Sequence, residues 1–477
     1  MFAAAVLLLA AFLRFYQLGT ESLWNDEGVS LRFASMEETR IVKQSEDDFN
    51  YPTYYLILHY WVALFGDSDF SLRVPSALAG VLAVLAMYKM GSLLFGRATG
   101  IMASLILALS PFHIEYSQEA RVYNFMSLLA LLSFYFFIKV LNERKLATQA
   151  GYVLSTSVLM YSHIYGLFIV LAQNIYVATK FLGRVLRLRG GSRPALGEWV
   201  GLQALLFVLF IPGLVLLVGW LSIPGRHERI SSPSWDWIYD RVLVDYSGSP
   251  LLLIVLLAFS LLAAVALVRS GAASKLYLLL CWLLTPVALP IAISSFSTPI
   301  FGPRYGIAGS LALYLLTAKG VEAASDAFSR TSTRWVPWAS KARTVWVIVA
   351  ATVIVLFGRE LYSYFNTVDK PQWREVAQYV DAHAHTNDLV LLEGRRVDEE
   401  LFDRYSERTD IETERAQSFG TNEGSSIETH ESVWVVSRVP PIRGSNLILA
   451  EGFFEETHTP VEQEQFKRLG LTLYERN

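Results

Sequence analysis

Residues 199–223 read WVGLQALLFVLFIPGLVLLVGWLSI, twenty-five consecutive positions without a charged side chain. A helix of about 20 apolar residues crosses the hydrocarbon core of a bilayer, so this stretch alone points to a membrane protein. Working outward, residues 250–268, 276–293 and 344–358 repeat the pattern. Over all 477 residues, 53% are hydrophobic and 17% charged, where a soluble domain carries about 25% charged residues. The mean hydropathy is +0.37. The single cysteine, Cys281, lies inside an apolar block and reads as a small membrane-buried side chain.

The formal charge of −3 hides an asymmetry. Residues 362–477 hold 22 acidic and 12 basic side chains, and the preceding 361 hold 21 and 28. A composition break therefore falls near Tyr362. It divides the chain into a transmembrane domain, residues 1–361, and a water-soluble acidic domain, residues 362–477, long enough to fold alone. The N-terminal apolar run to Leu13 has no basic leader and no small-x-small cleavage site. It reads as a first transmembrane helix rather than a cleaved signal, and its shortness leaves room for a start upstream of Met1.

Eleven spans fit best: 1–16, 72–95, 98–113, 121–141, 148–163, 165–183, 198–222, 250–268, 275–295, 305–320 and 344–361. Lys and Arg concentrate in cytoplasmic loops. Lys89, Arg97, Arg144, Lys145, Arg184, Arg187, Arg189, Arg193, Arg269, Lys275, Arg330, Arg334, Lys341 and Arg343 all fall on one side if residues 51–66 do not cross. That segment, YPTYYLILHYWVALFG, mixes polar and aromatic residues and reads as a helix lying in the interface. The expected N-terminus is then cytoplasmic. The long first loop (17–71), with its interfacial helices, and the C-terminal domain are extracytoplasmic.

The tail alternates in pattern. Helices are expected over 373–384 and 399–405, and strands over 388–393, 432–437 and 471–474. Segment 406–431 is polar and reads as a loose loop. Together these make a small α/β domain. No glycine-rich phosphate loop and no zinc-ligand cluster occurs, and no basic-aromatic run suggests nucleic acid.

Three clusters carry chemistry. Asp26 and Glu27 follow the first span in SLWNDEGVSLRFA. Adjacent carboxylates at a membrane surface suit proton abstraction, although a solvated loop pair is the commoner reading of such a dipeptide. SPFHIEYSQEARVYNF packs Glu115, Glu119 and Arg121 between two apolar blocks, and Tyr123 follows. An arginine there can hold a phosphate bidentately, or with its tyrosine it can anchor a span end. Arg304 and Tyr305 stand in STPIFGPRYGIAG at an outer helix mouth. An outer arginine runs against the positive-inside trend, so it suggests a lipid-phosphate ligand as an alternative to a snorkelling anchor.

The run LRFYQLGTESLWNDEGVSLRFA, residues 13–34, resembles the first-loop signature of the dolichyl-phosphate-mannose protein mannosyltransferase superfamily. This group includes the bacterial aminoarabinose transferase and belongs to the membrane glycosyltransferases of the C fold. The likeness continues through YPTYYLILHYWVALFGDSDFSLRVPSALAG, LALSPFHIEYSQEARVYNF, FGPRYGIAG and the tail's KPQWREVAQYVDAH. It covers most of residues 10–141, with patches to residue 393. The resemblance implies a polyprenyl-phosphate-linked sugar donor and an acceptor (protein, lipid or glycan) met outside the cytoplasm. It maps Asp26 onto the catalytic base or acceptor-positioning carboxylate, with Glu27 beside it. Glu119, Arg121 and Tyr123 map onto substrate-binding positions, as do Arg304 and Tyr305 near the carrier phosphate. Where relatives often carry His-Pro-Pro or Lys-Pro-Pro, this chain has Tyr51-Pro52-Thr53, so Tyr51 replaces a basic phosphate ligand of some members.

The implied reaction is an inverting displacement at the cell membrane. It needs no nucleotide and no cofactor, although the carboxylates could hold a divalent metal weakly. The contrasting readings are a transporter or flippase of lipid-linked sugars, and a receptor or scaffold. The charges cluster in outer loops and at span ends, without the mid-membrane charges of an ion-coupled path.

Overall fold

The computed structural model describes residues 2–48, 51–185, 196–221, 234–296, 299–331, 342–416, 430–439 and 457–477. Arg187, Arg189, Arg193, Arg334 and Lys341 of the expected basic loops lie outside these residues, as does much of segment 406–431. The N-terminal helices are α1 (Phe2–Phe15), α2 (Asn25–Ala34), α3 (Glu38–Asp48), α4 (Thr53–Phe65), α5 (Asp69–Phe95), α6 (Arg97–Leu109) and α7 (Pro111–Ser117). Next come α8 (Tyr123–Asn142), α9 (Leu146–Met160), α10 (Gly166–Val185) and α11 (Leu196–Leu221). Then α12 (Trp235–Ile238) and α13 (Asp245–Ser247) flank a π-helical turn, Tyr239–Val244. After them come α14 (Pro250–Arg269), α15 (Ala273–Leu284), α16 (Ala288–Phe296), α17 (Ile307–Thr331) and α18 (Ala342–Asn366).

Each of the eleven expected spans coincides with a helix or a bent helix pair. By length and apolar composition, six described helices can cross a membrane, or eight if α6–α7 and α15–α16, bent by 62° and 41°, each count as one span. Among the remaining expected spans, α1 and the described part of α10 are shorter apolar helices, and α9 has 15 residues. Residues 53–65, read as interfacial, form the 13-residue helix α4, too short to span a bilayer on its own.

The chain divides into two compact units. The first holds Met1–Tyr16, Met36–Trp61 and Arg73–Tyr364, and the second Gln17–Ser35, Val62–Leu72 and Phe365–Asn477. The charge break at Tyr362 falls close to the last of these boundaries. It carries no sign that the two ends of the first loop belong with the tail, because those segments are bound there by contacts rather than by composition.

In the first unit, α17 is the central helix and packs against α6, α8, α14 and α15. Its sequence IAGSLALYLLTAKG explains this: small residues let helix backbones approach closely where no hydrophobic effect drives them together. A Cβ at Gly320 would lie 1.7 Å from the Phe259 carbonyl oxygen. A neutral hydrogen-bond ladder ties α8 to α11. Tyr152 donates to Gln173 Oε1 at 2.8 Å, Gln173 donates to Ser133 Oγ at 2.9 Å, and the Ser133 and Thr156 hydroxyls meet at 2.8 Å. Gln203 donates to the Tyr152 hydroxyl at 3.1 Å, Asn174 to Gln203 at 2.8 Å, and Trp199 to Asn174 at 3.1 Å.

In the second unit, the tail supplies α19 (Trp373–His383), β1 (Leu389–Leu392), α20 (Arg396–Tyr405), β2 (Glu412–Arg415), β3 (Ser432–Arg438), β4 (His458–Phe466) and β5 (Leu469–Arg476). The five-stranded sheet has the order β2-β1-β3-β5-β4. β1 runs parallel to both its neighbours, while β3–β5 and β4–β5 are antiparallel. All four residues of β1 are buried, which suits a strand covered on both faces. Trp373, Val376, Ala377 and Val380 form the buried stripe of α19, at helical spacing.

Candidate active site

The first candidate cluster lies in the first unit and begins at the break between α6 and α7. Ser110 caps α7 by accepting from the His113 amide at 3.3 Å, and Pro111 opens the helix. The buried Arg14 donates to the carbonyls of Leu107 and Ala108 at 3.1 and 3.2 Å. These are orphan acceptors at the end of α6, where the helix dipole favours a cation. Asn124 then ties the start of α8 back to α7 through the His113 carbonyl (2.8 Å) and Ser117 Oγ (2.7 Å). Gln118 donates to the Tyr16 carbonyl at 2.7 Å. The SQEAR turn is thus held from several sides.

Its arginine is placed closely. Arg121 donates to the Tyr55 hydroxyl at 3.1 Å, and its own carbonyl accepts from Ser76 at 2.9 Å. Glu119 is buried, and its carbonyl accepts from the Arg121 amide at 2.7 Å. The Arg121 guanidinium carbon lies 5.9 Å from the centre of the Tyr123 ring. Arg304, from the 3₁₀ turn Pro303–Gly306 before α17, lies 5.5 Å from the same ring and 5.6 Å from that of Tyr305. Both distances are within cation–π range. The turn is fixed from outside. Tyr246 donates to the Pro303 carbonyl at 3.2 Å and Tyr165 to the Ile300 carbonyl at 3.0 Å.

The structure therefore brings together Arg121, Tyr123, Arg304 and Tyr305, which the sequence presents as two separate motifs. It also adds residues that the sequence reading missed. His163, in the turn after α9, has its ring 5.1 Å from Tyr305 and 6.2 Å from Tyr123. Tyr165 and Tyr116 complete the wall, 5.4 Å from Tyr305 and 5.2 Å from Tyr123. The signal available was YSHIYG, a polar and aromatic interruption between two apolar blocks.

Tyr51 is not part of this cluster. It is buried, its ring lies 4.8 Å from Trp220 and 6.0 Å from Phe210, and its hydroxyl donates to the Gly213 carbonyl at 3.2 Å. The ring of Tyr51, expected to bind substrate, joins the start of the α4 segment to α11.

The second candidate cluster lies in the second unit. Asp26 and Glu27 occupy the first turn of α2, where the helix dipole favours carboxylates. Asp26 is half-buried and Glu27 is fully buried. Lys370 Nζ donates to Glu27 Oε2 at 3.2 Å. Arg438, the last residue of β3, bonds Asn25 and Asp398. Ser22 donates to Glu375 at 3.0 Å, the Tyr405 hydroxyl accepts from the Leu23 amide at 2.8 Å, and Arg32 pairs with Glu400 at 2.9 Å. Gly28 is required by packing: a Cβ there would lie 2.6 Å from Val397 Cγ2.

Asp69 anchors the other end of the first loop. Its carboxylate accepts from Arg374 at 2.5 Å, from Arg404 at 3.1 Å and from the Tyr405 hydroxyl at 2.6 Å. Burial, and then the Asp69 charge, push the Tyr405 phenol well above its usual range. Among the described residues, no three His, Cys, Asp or Glu side chains gather as a metal-ligand group.

Residues 50–216 match the family model of dolichyl-phosphate-mannose-protein mannosyltransferase. The Bacillus subtilis (strain 168) protein YkcB, which is named as a mannosyltransferase, is 26% identical over 155 residues, covering 30% of this chain. The match spans 21% of that relative's length. The fold is similar to that of ArnT from Cupriavidus metallidurans, solved bound to undecaprenyl phosphate. That likeness has a TM-score of 0.58 at 14% identity and covers 98% of this chain and 97% of ArnT. The Archaeoglobus fulgidus oligosaccharyltransferase, solved with zinc and sulfate, aligns with a TM-score of 0.59 at 12% identity, over 91% of this chain and 68% of that one.

Proposed function

We propose that this chain, a member of the superfamily of C-fold membrane glycosyltransferases that holds the protein O-mannosyltransferases and the aminoarabinose transferase, moves a sugar from a polyprenyl-phosphate-linked donor to an acceptor at the outer membrane face. The observation that carries this reading is the pair of guanidinium groups on Tyr123. Arg121 and Arg304 come from helix ends 183 positions apart in sequence, yet both approach one ring, in a wall of tyrosines and His163. Guanidinium groups of fixed geometry suit a phosphate, and aromatic walls suit the lipid and sugar around it.

In this reading the acceptor's hydroxyl oxygen attacks the anomeric carbon. The bond from that carbon to the phosphate oxygen breaks, and the lipid phosphate leaves with the electron pair. Asp26 takes the proton from the acceptor, and Arg304 and Arg121 stabilise the charge that develops on the phosphate. A single displacement inverts the anomeric centre. The sugar is a hexose or pentose, and the acceptor a protein, lipid or glycan. The N-terminus faces the cytoplasm of a plasma membrane, with α2 and the tail outside.

The test is transfer of radiolabelled sugar from a panel of polyprenyl-phosphate sugars by purified protein in lipid. Label reaching an acceptor, or released as free sugar, with wild type and not with Asp26→Asn supports the reading. A broad panel in which no donor binds or turns over contradicts it.

A further inference from the structure

We infer that Lys370 is a positioning residue for the transfer reaction: it holds the carboxylate of Glu27 inside the second unit and so sets the first turn of α2, from which Asp26 projects. The inference rests on the reading of Asp26 as the carboxylate that meets the acceptor.

Consecutive residues on a helix point about 100° apart. Asp26 and Glu27 therefore cannot serve one substrate equally, and the structure separates them. Glu27 has no exposed side-chain surface and Lys370 keeps 13% of its own, whereas Asp26 is half-buried. A carboxylate with no access to water needs a partner to remain ionised, and Lys370 Nζ lies 3.2 Å from Glu27 Oε2.

The helix is short. It has 10 residues, and its N-cap position holds Trp24, not one of the Ser, Thr, Asp or Asn side chains that cap helices best. A helix this short is marginal alone, so its position comes from what it packs on. α2 docks at the end of β3 and on α20: Arg438 reaches Asn25, and Val397 and Leu401 of α20 lie against Gly28. Open α/β sheets commonly receive a ligand beyond the carboxyl ends of their parallel strands. Here that place receives α2. The tail is thereby assigned a task, holding the acidic segment in its reactive conformation, and Glu27 acts through the fold while Asp26 acts on the substrate.

Hydrogen exchange and steady-state kinetics on the full chain in lipid test this. For Lys370→Met, amide exchange across residues 25–34 should rise about tenfold. The kcat should fall about 10–100-fold with donor KM within about twofold, as expected when a reacting group is displaced. Lys370→Arg should recover most of both. Glu27→Gln combined with Lys370→Met should be no worse than Lys370→Met alone. If the Met variant does not fold, Lys370→Gln takes its place. Wild-type exchange over residues 25–34 in the Lys370 variant overturns the inference. So does loss of turnover in Glu27→Gln with exchange unchanged, which would make Glu27 a reactive group. If wild type turns over no donor, the transfer reading fails and the kinetic role falls with it. The exchange arm still reports whether Lys370 holds α2, so the two failures are distinct.

Discussion

The two units solve the same problem, joining distant segments through polar groups, with different chemistry. In the first, Tyr152, Gln173, Ser133, Thr156, Gln203, Asn174 and Trp199 form a ladder of uncharged donors and acceptors across four helices. In the second, Asp69 gathers Arg374, Arg404 and Tyr405, and Glu27 pairs with Lys370. A charge inside hydrocarbon costs far more than an amide or hydroxyl, which suits a ladder of neutral groups to a bundle of apolar helices. Arg14 is a cation buried in that unit, and it is directed at backbone carbonyls at a helix end. The second unit uses full charges, which give direction as well as attachment.

The comparison can be broken most severely at Asp69. Asp69→Asn leaves two guanidinium groups and a phenol without their shared carboxylate. The loss should be about 2 kcal/mol, below the roughly 3–5 kcal/mol of a fully buried pair because both arginines are partly exposed. It should appear as faster proteolysis within residues 62–72 and a lower melting temperature for the tail. An unchanged melt would mean that the ionic hub contributes little. Gln173→Leu tests the neutral side and should cost about 1 kcal/mol in the membrane unit, in line with interhelical hydrogen bonds in lipid, without altering the tail. Salt sharpens the contrast, since screening acts on exposed ion pairs and not on a neutral ladder.

The smallest effect concerns Asp410. A hydrogen bond from Arg408 lowers its carboxyl from 3.8 to about 2. A lowered carboxyl favours the folded chain above its unfolded pKa, and that contribution is lost as pH falls from about 4 towards 2. Asp410→Asn should flatten the melting curve of the tail over that window by a small margin, the pair being exposed. A full-sized acid transition in the variant would assign the effect to other carboxylates.

Apolar runs made the membrane helices legible, because a span must satisfy its backbone internally and so leaves a long, local signal. The tail's core was legible for a similar reason: the stripe of α19 and the apolar β1 and β3 are periodic. Two strands were not. ETER in β2 and HTPVEQEQF in β4 are polar edge strands, and β4 carries Pro460 at an irregularity in its pairing. Edges of this kind carry little hydrophobic pattern. At the candidate site, Arg121 and Arg304 stood out because each is a charge at a span end. His163 and Lys370 did not, since their meaning lies in tertiary neighbours far away in sequence. The packing of the Tyr51 ring on Trp220 and Phe210 was not legible either, since those partners lie more than 150 positions away.

The division of labour between carboxylate and guanidinium is tested most directly by measuring donor affinity and turnover side by side in Asp26→Asn and Arg304→Met. Asp26→Asn should lower kcat by about 10²–10⁴-fold, the range of general acid–base catalysis, and still bind polyprenyl phosphate as wild type does. Arg304→Met should weaken polyprenyl phosphate binding by about tenfold or more, as loss of a charge-assisted contact requires. Normal carrier binding in Arg304→Met, or normal turnover in Asp26→Asn, would contradict the assignment of these two residues to one transfer reaction.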